Sequence, residues 1–243
     1  MPTFIYLFVF FISLFLGSFY NVVALRTLSG ESLAFPASHC TTCNHTLKPR
    51  DLTPVFSWLF LGGKCRYCSD KISPLYPFGE LLTALSYTLI VWKFGFTLET
   101  LIHIVFITVL IWATITDLKT TMVPDRFVVF GLLAVGALRI YSGEMVGTYF
   151  LSALLSFGLL FLIFILSGGR MGGADVKLYA LIGLTIGFSG SFASLFYASF
   201  IGVIANIPML TKKKEPVEIP FVPFITAGVL LTYIINVYSF IPL

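Results

Sequence analysis

Charged side chains are scarce in this sequence. Asp, Glu, Lys and Arg together make up 11% of the 243 residues, whereas 58% of the residues are hydrophobic. A soluble domain carries about 25% charged residues, so this composition excludes an ordinary water-soluble domain. The mean hydropathy of +0.97 indicates that membrane lipid surrounds most of the chain.

The sequence also lacks the basic segments that are typical of nucleic-acid-binding proteins and of cleaved signal peptides. The net charge is only +4, and no run of Lys and Arg alternates with aromatic residues, so we expect no nucleic-acid partner. No basic segment precedes the first apolar run, which stays uncharged from Pro2 to Leu25 and is longer than the apolar part of a signal peptide. We therefore expect residues 1–25 to form a retained transmembrane helix.

Long apolar stretches, in contrast, recur along the chain. The longest is too long for one span of about 20 residues, and "GFSGS" at 187–191 predicts a tight turn between two short helices within it. Helix is the expected form because a backbone in lipid must satisfy its own hydrogen bonds. The pattern predicts an all-α polytopic membrane protein of about eight transmembrane helices. The stretches after the first lie at 81–92, 100–116, 127–138, 145–169, 178–211 and 219–243.

The distribution of Lys and Arg predicts the orientation of these spans. With the N-terminus outside and eight crossings, all but two of the 15 Lys and Arg residues face the cytoplasm, and only Lys93 and Arg139 face out. Basic residues accumulate on the cytoplasmic side of membrane proteins. The one sizeable polar region, at 26–78, divides the chain into a first helix at 1–25, a cytoplasmic polar domain at 26–78 and a transmembrane catalytic domain at 79–243.

All four cysteines lie in the polar region at 26–78, as two Cys-x-x-Cys pairs. Four thiolates at this spacing can close tetrahedrally on one Zn²⁺, and a closed shell makes such a zinc structural. Disulfides are the alternative, but the cytoplasm keeps thiols reduced. His39 and His45 could substitute as ligands, although four cysteines already fill the shell. The predicted ligands are Cys40, Cys43, Cys65 and Cys68.

Two aspartates stand at the cytoplasmic ends of predicted spans. Asp117 ends an inward-running helix and Asp175 begins an outward-running one, so both lie at the same membrane edge. Acids near a membrane core are costly and are usually functional, and two facing carboxylates can share a proton and activate a water, as in aspartyl proteases. The alternatives are a helix cap at Asp175 and an ion pair of Asp117 with Lys119 or Arg126.

The glycines before Asp175 and a histidine in the third predicted span are the remaining residues considered for a functional role. Gly172 and Gly173 are expected to adopt backbone conformations that a side chain forbids and to let a substrate strand lie close to free helix N–H groups. We expect His103 to be packed against a neighbour, not to be catalytic.

Several segments together resemble one known family. "ITDLKTTMVPD" and "GGADVKLYALIG", the cysteine module with "GKCRYC" and "ISPLYPFGELLTA", and "IPFVPFITAG" at 219–228 are similar to the bacterial prepilin peptidases, or type IV leader peptidases, which are GxGD-type intramembrane aspartyl proteases. The resemblance covers nearly the whole chain in the family's order.

The resemblance implies a role for particular residues. It implies that Asp117 and Asp175 are the catalytic aspartates, and that Glu80 serves the family's second activity, methylation of the new N-terminus with S-adenosylmethionine. Asp125 matches a non-essential acid, which we interpret as the cap of the next helix. Ala174 departs from the family's Gly-x-Gly-Asp pattern, and we expect it to be already helical. The implied substrate and active-site loop consists of Gly172, Gly173, Ala174 and Lys177.

The resemblance also implies a substrate and a location. Prepilins or pilin-like pseudopilins, cut after a basic leader in pilus, competence or secretion pathways, would be processed in the bacterial inner membrane. The active site and the cysteine domain would face the cytoplasm. Two other functions stay open, a proton-coupled membrane transporter and a non-catalytic assembly factor.

Overall fold

The computed structural model describes residues 2–169, 171–210 and 219–235. Within these residues the fold contains eight α-helices and no strand apart from two isolated β-bridges, which confirms the predicted all-α class. Residues 211–218 and 236–243, which include part of the predicted last span, lie outside the described residues. The helices are α1 Thr3–Ser29, α2 Phe56–Phe60, α3 Leu75–Phe94, α4 Leu98–Thr120, α5 Asp125–Ser142, α6 Val146–Leu166, α7 Gly173–Leu210 and α8 Val222–Ile235.

Four of the helices in the described residues are long and apolar enough to cross a membrane: α1, α4, α6 and α7. Their outward faces carry exposed side chains such as Phe8, Leu154 and Leu166, as expected for surfaces in contact with lipid. Helices α3, α5 and α8 coincide with the other predicted spans, so the prediction of a polytopic α-helical membrane protein is confirmed. The number of eight crossings is approximate.

Helix α7 is broken at Gly187, which has φ 74° and ψ 174°. Ser156 of α6 bonds to Ser191 through their hydroxyls at 2.6 Å, and the same Ser156 lies against Gly183. Residues four before and four after the break therefore meet one side chain, so the two halves of α7 run beside each other. This confirms the tight turn predicted at 187–191.

The chain forms two compact units, Met1–Gly95 and Phe96–Leu243. In the first unit, α1 and α3 run antiparallel, since Asn21 bonds to the Tyr76 carbonyl and Gly17 lies against Glu80. The segment between these helices holds α2 and a 3₁₀ turn at Pro49–Asp51. The domain boundaries that we predicted from the sequence stay a prediction.

In the second unit, α4 lies in the interior and α7 packs against α4, α5, α6 and α8. Phe106, Ile107, Leu110 and Ile111 of α4 are wholly buried. Their burial removes the apolar face of α4 from the surroundings and fixes the helix within the bundle. The last turn of α4, which carries Asp117, is therefore held in a defined place.

Candidate active site and metal centre

Asp117 lies in the last turn of α4 and is only 6% exposed. Its Oδ2 accepts a hydrogen bond from the backbone N–H of Val222, the first residue of α8, at 2.9 Å. The first N–H groups of a helix have no partner within the helix and carry partial positive charge. The carboxylate of Asp117 therefore caps α8, a role that our sequence analysis missed.

A second contact holds α4 against α8 close to Asp117. The hydroxyls of Thr114 and Thr226 bond to each other at 2.8 Å, and both side chains are buried. Thr114 lies three residues before Asp117, and therefore on the same side of the helix. The position of Asp117 thus depends on α8 through two separate hydrogen bonds.

Asp175 lies in the first turn of α7 and is also 6% exposed. Helices α4 and α7 pack together, and Asp175 lies close enough to Asp117 for the two carboxyl groups to interact electrostatically. Among the described residues, no group donates a hydrogen bond to the Asp175 carboxylate. The structure brings the two predicted aspartates together and gives them different surroundings.

The backbone conformation of the glycines before Asp175 differs from what we predicted. Neither Gly172 nor Gly173 has a positive φ, so the prediction of a glycine-only backbone conformation at these positions is wrong. Gly172 matters for space, because a Cβ there would lie 3.1 Å from Oδ2 of Asp175, whereas a Cβ on Gly173 would meet nothing within 4 Å. Helix α7 begins at Gly173, so Ala174 is helical, as we expected.

Lys177 and Asp125 form an ion pair with an Nζ–Oδ1 distance of 2.7 Å. Lys177 lies within α7 and not in a loop. The N-cap of α5 is Pro124 and Asp125 is the first residue of the helix, so Asp125 does not hold the cap position that we predicted. Its carboxylate bonds to Lys177 instead. Both side chains are exposed.

One buried residue next to Asp175, Tyr179, was not among the predicted candidates, whereas the buried His103 was. Tyr179 lies one turn after Asp175, is 1% exposed and senses the charge of Asp175. His103 of α4 bonds through Nδ1 to the hydroxyl of Tyr233 at 2.8 Å, so it is packed against a neighbour, as we predicted. A Tyr among many apolar residues looks like core, but its spacing of four residues from Asp175 places the two side chains on one face of the helix.

The four cysteine sulfurs form one cluster in the first unit. All four Sγ atoms lie within 4.8 Å of one another, and those of Cys40 and Cys68 are 3.8 Å apart. A tetrahedral metal with S ligands at about 2.3 Å requires sulfurs about 3.8 Å apart. The cysteines are free thiols and the cluster includes neither His39 nor His45. The residues therefore fit a tetrathiolate metal site.

Each cysteine pair is held by the same kind of turn. Asn44 donates its N–H to the Cys40 carbonyl and Ser69 donates to the Cys65 carbonyl, and Asn44 and Ser69 both have positive φ. The N–H groups of Cys43 and Thr42 donate to the Cys40 sulfur and lower the pKa of that thiol to about 6. The first turn thus stabilises the thiolate of Cys40, which is the form that binds a metal.

Glu80 lies in the first unit, near the start of α3, and is 6% exposed. Its Oε2 accepts the N–H of Val55 at 2.7 Å. Val55 has φ 61°, an unfavourable value for a β-branched residue, in a tight turn where Phe56 donates to the Pro54 carbonyl. In this structure the carboxylate of Glu80 stabilises that strained turn.

Comparison with known proteins decides the family. Residues 11–94 match the bacterial peptidase A24 N-terminal domain, and residues 104–207 match the type IV leader peptidase family. A Bacillus subtilis protein named prepilin leader peptidase/N-methyltransferase is 36% identical over 231 residues, which are 93% of this chain and 92% of that protein. The chain belongs to the type IV leader peptidase family.

Other relatives of this leader peptidase agree. An Escherichia coli protein named type 4 prepilin-like proteins leader peptide-processing enzyme is 33% identical, over 90% of each chain. A Neisseria gonorrhoeae prepilin leader peptidase/N-methyltransferase is 30% identical, over 83% of this chain and 81% of that one. No solved structure matches the chain significantly. The resemblance stated from the sequence motifs is confirmed, and the chain is an integral membrane enzyme of the peptidase class.

Proposed function

We propose that this chain is a membrane-embedded aspartyl endopeptidase that removes the basic leader from prepilins or pilin-like pseudopilins. The observation that carries the proposal is the meeting of Asp117 and Asp175, two buried carboxyl groups on packed helices. The names of the relatives supply the substrate, since each is named for the processing of prepilin or prepilin-like leaders.

The surroundings of the two aspartates support a division of labour. The N-terminus of α8 donates a hydrogen bond to Asp117, and a helix N-terminus stabilises negative charge. No such donor to Asp175 occurs among the described residues, and two carboxyl groups that interact electrostatically disfavour ionisation of both at once. Asp117 is therefore the carboxylate that holds the charge, and Asp175 is the acid that holds the proton.

The reaction that follows is hydrolysis without a covalent intermediate. Asp117 takes a proton from a water molecule while the water oxygen bonds to the scissile carbonyl carbon. Asp175 gives its proton to the carbonyl oxygen, which forms a tetrahedral diol. Asp117 then returns its proton to the departing amine nitrogen as the C–N bond breaks. One hydroxyl proton of the diol passes back to Asp175, and the product is a neutral carboxylic acid.

We place the active site and the cysteine module at the cytoplasmic side of the bacterial inner membrane. The support is the bias of Lys and Arg toward one side of the predicted spans. The basic leader of a substrate would also stay on the cytoplasmic side, because basic segments are retained there. The substrate and the aspartates would then meet at one membrane edge without transport of the leader.

We propose structural Zn²⁺ as the metal of the four-cysteine cluster. Four thiolates suit zinc and leave no open position for a water. Cys40, Cys43, Cys65 and Cys68 would hold the ion, which would supply folding energy to a polar segment too small to bury much of a core. No step of the hydrolysis passes through it.

Methylation of the new N-terminus is proposed on the names of the relatives alone. The carboxylate of Glu80 is buried and bonded to Val55, so a role for Glu80 in methylation rests on the family resemblance alone. Processing of a prepilin with and without the methyl donor, followed by mass spectrometry of the new N-terminus, tests this activity.

Single amide substitutions test the peptidase. Asp117→Asn and Asp175→Asn keep the size of the side chains but remove the shared proton, so each should lower cleavage of a prepilin by at least about 10²-fold. Asp125→Asn is the matched control, because this exposed acid pairs with Lys177 and touches neither aspartate. Cleavage at the normal rate by purified Asp175→Asn enzyme would contradict the proposal and would favour a non-catalytic assembly factor.

A further inference from the structure

Arg139, near the end of α5, is buried to 1% exposure in a chain with few charges. The hydrolysis described above does not use it. A buried guanidinium is costly unless its donors are paired. The groups that pair with Arg139 therefore indicate why the chain retains a charge at this place.

Three groups from three other helices surround the guanidinium. Its Nη1 donates to Oε1 of Glu99 on α4 at 2.6 Å, and its Nη2 donates to the backbone carbonyl of Thr185 on α7 at 2.6 Å. The Tyr149 ring of α6 lies 3.7 Å from its Cζ. A planar guanidinium can make all these contacts at once because its donors form a rigid fork.

Glu99 extends this cluster to α8. Its Oε2 lies 3.6 Å from Nε2 of His103, whose Nδ1 bonds to the Tyr233 hydroxyl at 2.8 Å. Each of the five helices of the second unit thus contributes one residue or more to a continuous set of contacts. Arg139 of α5 is the residue that links α6 and α7 to Glu99 of α4.

The Thr185 carbonyl needs an outside donor because of the break at Gly187. The last carbonyls of a helix have no N–H partner within it, and the first half of α7, Gly173 to Ile186, has only 14 residues. Such a helix is about 21 Å long, shorter than a hydrocarbon core of about 30 Å. Its free carbonyls must therefore be satisfied by protein, and Arg139 satisfies that of Thr185.

The same half of α7 carries Asp175, ten residues or about 15 Å from Thr185. Helix α4, which Arg139 holds through Glu99, carries Asp117 at its other end. We propose that Arg139 is a positioning residue for the aspartate pair: it fixes the short helix of Asp175 against the helix of Asp117. This inference rests on the proposed peptidase function. It is independent of the substrate's identity.

The test uses three variants of the full-length enzyme in lipid. Arg139→Met removes both hydrogen bonds, Arg139→Lys keeps the charge but cannot bridge Glu99 and Thr185, and Glu99→Gln keeps an acceptor but removes the ion pair. Glu144→Gln is the matched control, since Glu144 is an exposed acid just past the end of α5. Thermal unfolding and the fraction of folded enzyme are measured for each variant.

Cleavage of a prepilin is then measured per folded enzyme as kcat, KM and pH dependence. A displacement of the aspartates by a fraction of 1 Å should lower kcat on the order of 10- to 100-fold in Arg139→Met, with KM unchanged and a smaller loss in the other two variants. The pH range of cleavage should narrow, because that range depends on how strongly the pair shares one proton. Titratable groups near the pair among the described residues, which include Lys119, Asp125, Lys177 and Tyr179, are unaltered in these variants.

Two results would overturn the inference. If the folded fraction of Arg139→Met and Glu99→Gln cleaves with the kcat and pH range of the unaltered enzyme, Arg139 serves stability alone. Should Arg139→Met fail to fold, Arg139→Lys and Glu99→Gln decide in the same way. An unaltered enzyme that cleaves no prepilin would instead refute the peptidase proposal, so the two failures are distinguishable.

Discussion

Gly172 offers a sensitive test of how Asp175 is held. A methyl group at this position would lie 3.1 Å from Oδ2 and 3.6 Å from Cγ of Asp175. Carbon and oxygen atoms normally keep a larger separation, so the carboxyl group must move by a few tenths of an ångström. The backbone of Gly172 does not have a positive φ, so alanine can adopt it without strain.

Gly172→Ala should therefore impair cleavage more than stability. A misplacement of about 1 Å can cost about 10²-fold in rate, so a shift of a few tenths should cost roughly 3- to 10-fold in kcat. The free energy of unfolding should change by less than about 1 kcal/mol, since the atom that gives way is the end of a side chain. A prepilin cleavage assay and thermal unfolding measure the two effects.

Gly173→Ala is the matched control for this prediction. A methyl group there would meet nothing within 4 Å, and alanine favours helix more than glycine does, so cleavage should be unchanged. Equal rates for Gly172→Ala and the unaltered enzyme, or equal losses in both variants, would refute the steric argument. Either result would mean that Asp175 does not occupy the described position during catalysis.

Two further predictions concern the metal centre and the helix packing. Metal analysis should find close to one zinc per chain, lost when Cys40 and Cys65 are changed to Ser; purified enzyme with no zinc, or zinc retained after both changes, contradicts the tetrathiolate site. Gly183→Ala should destabilise the enzyme by about 1–3 kcal/mol, because its Cβ would lie 2.5 Å from the Ser152 carbonyl oxygen. Gly158→Ala, whose Cβ meets nothing within 4 Å, is the control in thermal unfolding, and equal melting temperatures would disprove the close contact between α6 and α7.

Local patterns predicted much of the fold and part of the site. The turn within α7 was visible because Gly187 and its polar neighbours interrupt an apolar run, and Gly187 is the residue that leaves the helical conformation. The cysteine cluster was visible because residues three apart in a tight turn can point to one ion, and the four sulfurs do converge. Both predictions needed only information that is close in the sequence.

Predictions that involved the environment of a side chain succeeded less well. The sequence suggested that Asp125 caps α5, but its carboxylate bonds to Lys177, 52 residues away. It suggested that Gly172 serves backbone freedom, whereas its lack of a side chain makes room for Asp175. In both cases the chemistry of the residue was clear, and its partner was decided by which helices pack together.

By itself, then, the amino-acid sequence determined a helical membrane enzyme with a four-cysteine module, and it predicted which two aspartates form the catalytic pair. Apolar length, cysteine spacing and motif residues carry that information locally. Only the tertiary structure decided that α8 donates to Asp117 across 105 residues, and that Arg139 joins Glu99 to Thr185. Every helix has free groups at its ends, but which side chain satisfies them depends on the packing of helices that lie far apart in the sequence.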